Sequence, residues 1–328
     1  MYCFVLLGIF ALTLAYKPAR YYVLSYFFSQ LYTVLYNRPR IAQFLGIRYV
    51  NVEEWKTDRK NTRIFSMGIF VKLLKLITGM DLRVSKQTIN SMMGLQRQHS
   101  RQLNMERYFD EITNKSINLV EFEHFLSRVL LIETNNVYRI VTPEQEKILL
   151  DNIVIVFEVL NGLSGGMVDG IGQMLKYWRE LYAVSRVLRC LPEAQRLLIF
   201  GPQLSLVTNF TKMIVRKKGI IKDLQPCDFL DLLTKFFVFD TWENGYHELV
   251  FAKRENRDMR NTIDNKAFGA GKVMCPGARM TIDYIQSILS FLQSFDITFE
   301  GEPVIEGGRF KNITNKDRVK VLFTRTTA

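Results

Sequence analysis

The sequence is poor in cysteine, histidine and proline, and these shortages exclude several classes of protein. Its 328 residues hold four cysteines and three histidines, widely spaced, with no Cys-x-x-Cys pair. That spacing argues against a disulfide framework and against a zinc site built from His and Cys. Eight prolines and 19 glycines exclude collagen-like and low-complexity chains. No internal repeat is evident, which argues against a solenoid.

The chain does have an excess of positive charge and a large apolar content. It carries 44 Lys and Arg against 32 Asp and Glu, a net charge of +12, and 48% of its residues are hydrophobic. The apolar content excludes a disordered chain. A basic surface attracts nucleic acid, anionic lipid or an acidic protein. Because the sequence has no zinc finger, no RNP-type strand and no long basic block, we expect no nucleic-acid partner.

The amino terminus has the pattern of a membrane anchor. Residues 1–16 carry no charge and would span about 24 Å as a helix, close to the thickness of a hydrocarbon core. Lys17 and Arg20 follow at once, which predicts a single amino-terminal anchor with the body of the protein in the cytoplasm. A cleaved signal peptide is the alternative, although no basic residue precedes the run.

Residues 17–40 predict an aromatic and basic interfacial segment that ends in a hinge. The uncharged stretch Tyr21–Tyr36 holds five tyrosines, which favour a membrane interface. An ordinary buried helix explains the same stretch equally well. Pro39 and the arginines on either side of it mark the hinge, and residues 41–328 are predicted to form the main domain.

The pattern between residues 51 and 189 is mainly helical. An apolar stripe with three- and four-residue spacing runs from Leu119 to Leu130. Thr142 and Pro143 predict a helix start. The glycine-rich stretch 161–166 predicts a flexible loop before a second helix over about 168–188. A phosphate-binding loop is the alternative, but no Lys-Ser/Thr follows these glycines and no strand precedes them.

The segment around Cys275 is the strongest candidate for chemistry. Phe268 and Gly271 precede Cys275 by seven and four residues, and Pro276 and Gly277 follow it. An amphipathic helix comes next, so the cysteine stands just before a helix amino terminus. The helix dipole and free backbone N–H groups there stabilise a thiolate, which can serve as an axial ligand of haem iron. The alternative is an inert buried cysteine.

This segment resembles the haem-binding segment of the cytochrome P-450 superfamily. The resemblance implies that Cys275 is the proximal haem ligand and that Phe268, Gly271 and Gly277 are its characteristic neighbours. Many members place a basic residue where this chain has Val273, so Lys272 beside it is the candidate for contact with a haem propionate.

Glu193 and Arg196 extend the resemblance. They lie three residues apart on one helical face, where such a pair taken alone is a surface ion pair. They match the family's Glu-x-x-Arg helix, which the resemblance implies locks the core on the proximal side. Residues 231–245 resemble the family's meander as it reads in sterol 7-alpha-hydroxylases and prostacyclin synthases.

The resemblance implies a mainly α fold with small β-sheets, that is, a shortened cytochrome P-450 fold. It implies haem as cofactor and a monooxygenase-type oxidoreductase that acts on a lipophilic substrate such as a sterol or oxidised lipid. The partners would be a membrane and an NADPH-dependent reductase. The location would be the endoplasmic reticulum membrane.

The chain differs from the family in one major respect. Members with a microsomal anchor are longer, and the central helix that crosses the distal haem face has no counterpart in this sequence. Ser164-Gly165-Gly166 is the only candidate for its Ala/Gly-Gly-x-Asp/Glu-Thr motif, and no threonine follows. Two alternatives therefore stay open: an impaired relative that binds haem weakly or not at all, and a peroxide isomerase of the prostacyclin synthase type.

Overall fold

The computed structural model describes most of the chain between residues 85 and 326. The described residues are 16, 39–44, 48–50, 62–64, 75–76, 78–79, 85–99, 102–165, 167–226, 228–229, 238–243, 246–252, 277–306 and 312–326. They are mainly helical with small β-sheets, which confirms the predicted fold class.

The described helices, in chain order, are α1 (Pro39–Phe44), α2 (Lys86–Gln98), α3 (Phe109–Ile112), α4 (Leu119–Tyr138), α5 (Pro143–Gly165), α6 (Met167–Lys176), α7 (Trp178–Cys190), α8 (Glu193–Arg216) and α9 (Ala278–Leu292). A 3-10 turn, Glu106–Tyr108, precedes α3. The longest helices, α4, α5 and α8, pack on one another through α4–α5 and α4–α8 contacts. The body of the molecule is therefore built around α4.

The described strands are β1 (Arg48–Val50), β2 (Thr62–Ile64), β3 (Ser116–Asn118), β4 (Val238–Glu243), β5 (Tyr246–Ala252), β6 (Phe295–Glu300), β7 (Ile305–Glu306), β8 (Asn312–Ile313) and β9 (Lys320–Arg325). One sheet has the order β1-β5-β4-β2, in which only the β1–β5 pair is parallel. A second, antiparallel sheet has the order β3-β9-β6, and β7 pairs with β8. The second sheet brings the carboxyl-terminal strand to the start of α4.

Helix α4 is the central core element, as its apolar stripe predicts. Asn118 caps it: the Asn118 side chain accepts from the Glu121 N–H, and the Glu121 carboxylate accepts from the Asn118 N–H. The predicted stripe is buried, and Leu119, Phe122 and Leu126 are fully so. Because this face is covered, α4 derives most of its stability from packing rather than from helix propensity.

Helix α5 begins where the sequence predicts and ends later than expected. Thr142 and Gln145 form a reciprocal capping pair, with bonds of 3.3 Å from the Gln145 N–H to Thr142 Oγ1 and 3.0 Å from the Thr142 N–H to Gln145 Oε1. The predicted loop at 161–166 is wrong for its first five residues, since α5 continues to Gly165. Packing of α5 against α6 and α7 outweighs the cost of glycine in a helix.

The helix predicted over about 168–188 is two helices. Helix α6 ends at Lys176, Tyr177 lies in a turn, and α7 runs from Trp178 to Cys190. Trp178 and Tyr182, four residues apart on α7, are both exposed. Helix α8 begins only two residues after α7 ends.

The predicted amino-terminal segments lie almost entirely outside the described residues. Of residues 1–16 only Tyr16 is described, and of 17–40 only Pro39 and Arg40, which open α1. Pro39 occupies the first position of that helix, where proline is favoured. Within the described part of the chain, no helix combines the length and apolar character needed to cross a membrane.

Candidate functional site

Three of the seven predicted site residues lie in the described part of the chain. Glu193 and Arg196 open α8, and Gly277 precedes α9. The other four lie outside the described residues: Phe268, Gly271, Lys272 and Cys275. The geometry of the site is therefore built from its two supporting helix starts.

The start of α9 is buried and has no side-chain cap. Gly277 is the N-cap residue, and its carbonyl accepts from the Thr281 N–H at 2.8 Å. Gly277 is buried and Ala278 is 8% exposed, so this helix end faces the protein interior. The first turn contains no acidic residue. The positive end of the helix dipole is thus left for another negative group.

Helix α9 is held in place by buried contacts along its length. The Tyr284 hydroxyl lies 2.9 Å from Thr134 Oγ1 on α4, and the Leu103 N–H donates to Ser287 Oγ at 3.1 Å. The Gln293 amide donates to the carbonyls of Ile221 and Leu224 at 3.1 and 2.8 Å. These bonds fix the helix and hence the direction of its amino terminus.

Aromatic packing supports the same helix. Phe291 stacks on Phe109 at 5.0 Å between ring centroids and on Phe125 of α4 at 6.0 Å. Phe295, just past the helix end, lies 5.3 Å from Phe291 and 5.8 Å from Phe323 of β9. The cluster joins α9 to the β3-β9-β6 sheet.

Glu193 bonds α8 to α2. The Thr88 hydroxyl donates to Glu193 Oε2 at 2.6 Å. Ser85, the N-cap of α2, accepts from the Thr88 N–H at 3.1 Å. Because Thr88 is buried, this short charge-assisted bond is shielded from solvent. Glu193 therefore positions the start of α8 against the start of α2.

Arg196 bonds the same helix start to a second segment. Its Nη1 donates to the Gly79 carbonyl and its Nη2 to the Leu191 carbonyl at 2.9 Å. Its Nε is buried and has no hydrogen-bond partner within the described structure. Burial lowers the pKa of Arg196, the neighbouring Glu193 raises it, and Arg189 lowers it. The guanidinium stays charged in any case.

Glu193 and Arg196 therefore differ from a simple surface pair. Each is partly buried and bonded to a different part of the chain, and within the described residues no hydrogen bond or ion pair joins the two. Together they fix the start of α8 to α2 and to Gly79. The family role in locking the proximal core stays a prediction, because the haem-ligand segment lies outside the described residues.

A buried acidic network was missed by sequence reasoning. Glu133 of α4 is 4% exposed and accepts from the Asn104 N–H at 2.9 Å and from the Tyr108 hydroxyl at 3.0 Å. Arg107 forms an ion pair with it. The signal was available: Glu133 follows Val129 by four residues on the buried stripe of α4. An acid on such a stripe indicates a buried partner.

The described residues hold no group of three or more His, Cys, Asp and Glu side chains that could bind a metal ion. Cys190, the free cysteine within the described structure, is exposed at the end of α7.

Comparison with known proteins gives low-identity structural similarities. Neither a protein-family model nor a curated protein matches this sequence. Among solved structures, the chain is similar to P450 OxyD, involved in the biosynthesis of vancomycin-type antibiotics. The identity is 16% and the TM-score 0.36, over 78% of this chain and 76% of that chain.

Two further similarities are of the same kind. The retinoic acid-bound cyanobacterial CYP120A1 matches at 13% identity and a TM-score of 0.41, over 82% of this chain and 86% of that one. A cytochrome P450DA mutant heme domain matches at 9% identity and a TM-score of 0.41, over 80% and 77%. With values this low, the ligands and reactions of these proteins are facts about those proteins alone.

Proposed function

We propose that this protein is a haem-thiolate oxidoreductase with a shortened cytochrome P-450 fold, in which Cys275 is the axial ligand of the haem iron. The observation that carries the proposal is the sequence Phe-x-x-Gly-x-x-x-Cys-Pro-Gly from Phe268 to Gly277, placed directly before α9. A chance match would need the glycines, the proline, the phenylalanine and the helix start all to coincide with one cysteine.

The described end of this segment fits the proposal. Helix α9 has a buried amino terminus with no side-chain cap and no acid in its first turn. Such an end stabilises a thiolate two residues upstream and keeps the Cys275 pKa low. A haem held there would supply oxidation chemistry when bound. The bonds of α9 to α4 and to residues 221–224 would keep the thiolate in one direction.

The neighbouring residues have separate proposed roles. Phe268 would shield the sulfur from water, and Gly271 and Gly277 would let the backbone approach a planar ligand. Lys272 would contact a propionate. Glu193 and Arg196 would act as positioning residues through α8.

The substrate, partners and location are proposals that rest on the same resemblance. The substrate class is a lipophilic small molecule such as a sterol or oxidised lipid. The basic surface would meet an acidic NADPH-dependent reductase or anionic lipid. Residues 1–16 would anchor the protein in the endoplasmic reticulum membrane, with its body in the cytoplasm.

The type of reaction is the least supported part, because of the segment between α5 and α8. Ser164 and Gly165 lie at the carboxyl end of α5 rather than in the middle of a long helix. The described residues 167–192 form two short helices joined by a turn. Proton delivery for splitting oxygen needs an acid–alcohol pair, which this segment does not provide. This favours the peroxide isomerase alternative, or an impaired relative.

Haem stoichiometry is the test of the proposal. We expect purified full-length chain to bind about one haem, and Cys275→Ser to change the absorption spectrum of that haem. Cys190→Ser is the matched control, because Cys190 is exposed and distant in sequence. An absence of haem binding, or identical spectra for the two variants, would reject the proposal. Turnover of a lipid hydroperoxide without NADPH would then identify an isomerase, whereas strict dependence on NADPH and reductase would identify a monooxygenase.

A further inference from the structure

A cluster of cationic side chains lies where α4, α8 and the turn before β9 meet. Lys212 and Arg216 are one turn apart on α8, Glu123 lies on α4, and Lys316 lies in the turn 314–318. The backbone brings these elements together, because the Leu119 N–H at the start of α4 donates to the carbonyls of Lys316 and Val319 at 3.1 Å.

The cluster contains one ion pair and two cations without partners. Lys316 Nζ donates to Glu123 Oε2 at 2.7 Å, and both side chains are largely buried, at 16% and 6% exposed. Within the described part of the chain, the side chains of Lys212 and Arg216 make no hydrogen bond. Lys212 is only 9% exposed.

The charges do not balance. Three cations face one carboxylate, and the carboxyl end of α8 adds about half a negative charge. Burial, together with Lys316 and Arg216, lowers the pKa of Lys212 to about 8, although Glu123 acts in the opposite direction. A buried ammonium without acceptors is unfavourable, and an added anion would relieve both the charge excess and the missing hydrogen bonds.

We propose that Lys212, Arg216 and Lys316 form a binding site for a phosphate group. A phosphate offers several acceptor oxygens at once, and the planar guanidinium of Arg216 matches two of them. The ammonium groups of Lys212 and Lys316 supply further donors from two other directions. The site is separate from the Cys275 segment, so it does not depend on haem binding.

Calorimetric titration with inorganic phosphate tests the proposal on the full-length protein. Sodium chloride holds the ionic strength constant, and the pH is 7, where Lys212 is protonated. We expect saturable 1:1 binding, weakened about tenfold or more in Lys212→Met because a charged hydrogen bond is lost. Lys147→Met is the matched control: it removes the same charge from an exposed site on α5 and should leave the affinity unchanged.

The thermal unfolding midpoint gives a second readout. Phosphate should raise the midpoint of the wild type and of Lys147→Met but not that of Lys212→Met. Lys212→Met should fold, because it replaces a buried charge by an apolar chain of similar length. Should it fail to fold, Arg216→Gln should show the same loss of phosphate affinity.

Two probes distinguish the source of the phosphate group. A soluble phosphate monoester that competes with inorganic phosphate identifies a free ligand. Vesicles of phosphatidylcholine with phosphatidic acid that bind wild type more tightly than Lys212→Met identify a lipid headgroup. Either outcome supports the site. If phosphate does not bind saturably, or both methionine variants bind it as the wild type does, the cluster holds only water and the proposal is wrong.

Discussion

At the scale of single residues, the buried charges of α4 and α8 determine how stability responds to substitution and pH. Glu133 is the clearest case, since a 4% exposed carboxylate collects three donors from the segment that precedes α3. We expect Glu133→Gln to lower the free energy of unfolding by about 2 kcal/mol, because bonds to a buried charge are replaced by weaker ones.

Urea unfolding measures this change. Glu106→Gln is the control, because Glu106 is exposed in the neighbouring 3-10 turn and should alter stability by less than about 0.5 kcal/mol. Equal effects of the two substitutions would show that the Glu133 network contributes nothing to stability.

Lys212 gives a pH dependence with a defined sign. Its pKa is about 8 in the folded protein and 10.5 when unperturbed. Between those values the unfolded chain binds more protons, so this residue should make the free energy of unfolding rise with pH from about 8 to 10.5. Below pH 8 the cost of its buried charge is fully present, and above 10.5 that cost is absent.

The matching measurement is urea unfolding across this range in phosphate-free buffer. The wild type should gain stability relative to Lys212→Met as the pH rises. Tyrosines act in the opposite direction above pH 10, because burial raises the pKa of Tyr138 to about 12 and raises that of Tyr284 as well. Since both tyrosines are present in both proteins, the difference between wild type and variant isolates Lys212. A constant difference would contradict the prediction.

At the scale of elements, helix ends fix the positions of the main helices. Glu193 and Thr88 join the starts of α8 and α2. A double-mutant cycle with Thr88→Val and Glu193→Ala should give a coupling of about 1.5 kcal/mol, as expected for a hydrogen bond to a charged group. The control cycle pairs Thr88→Val with Glu180→Ala on α7, for which we expect additivity. Additive effects in the first cycle would mean that the bond does not hold the helices together.

The carboxyl end of α8 depends on one glycine. Gly219 has φ +78°, and its N–H donates to the Ile214 carbonyl, as in a Schellman cap. A Cβ there would lie 2.1 Å from the Ile297 carbonyl oxygen of β6. Gly219→Ala should therefore lower the free energy of unfolding by at least about 2 kcal/mol.

Gly94, inside α2, is the contrasting glycine. An added Cβ there meets nothing within 4 Å, so Gly94→Ala should raise stability by about 0.5 to 1 kcal/mol. Thermal and urea unfolding check both variants. Opposite signs are expected, and a tolerated Gly219→Ala would contradict the tight approach of α8 to β6.

The same elements indicate how far sequence reasoning extends. The stripe of α4 and the Thr142 cap of α5 were predictable, because both depend on residues within one helix. The extension of α5 to Gly165 was not, since it arises from packing against α6 and α7. The Lys212 cluster was equally hidden, because its members are up to 193 residues apart.

At the scale of the whole molecule, the account depends on one helix start. Helix α9 is fixed by α4, by residues 221–224 and by the aromatic cluster near β9, so the residues before it have a rigid support. The candidate site itself was predictable because its motif is contiguous. Its relation to Glu193 and Arg196 was not, because their bonds run to Thr88 and Gly79, more than 100 residues away.

The central claim, thiolate ligation of haem by Cys275, is tested most directly by the absorption spectrum of the reduced, carbon monoxide-treated full-length protein. The account predicts the red-shifted Soret band that marks thiolate ligation, present in the wild type and in Cys190→Ala and absent in Cys275→Ala. A red-shifted band that survives in Cys275→Ala, or no such band in the wild type, would contradict it.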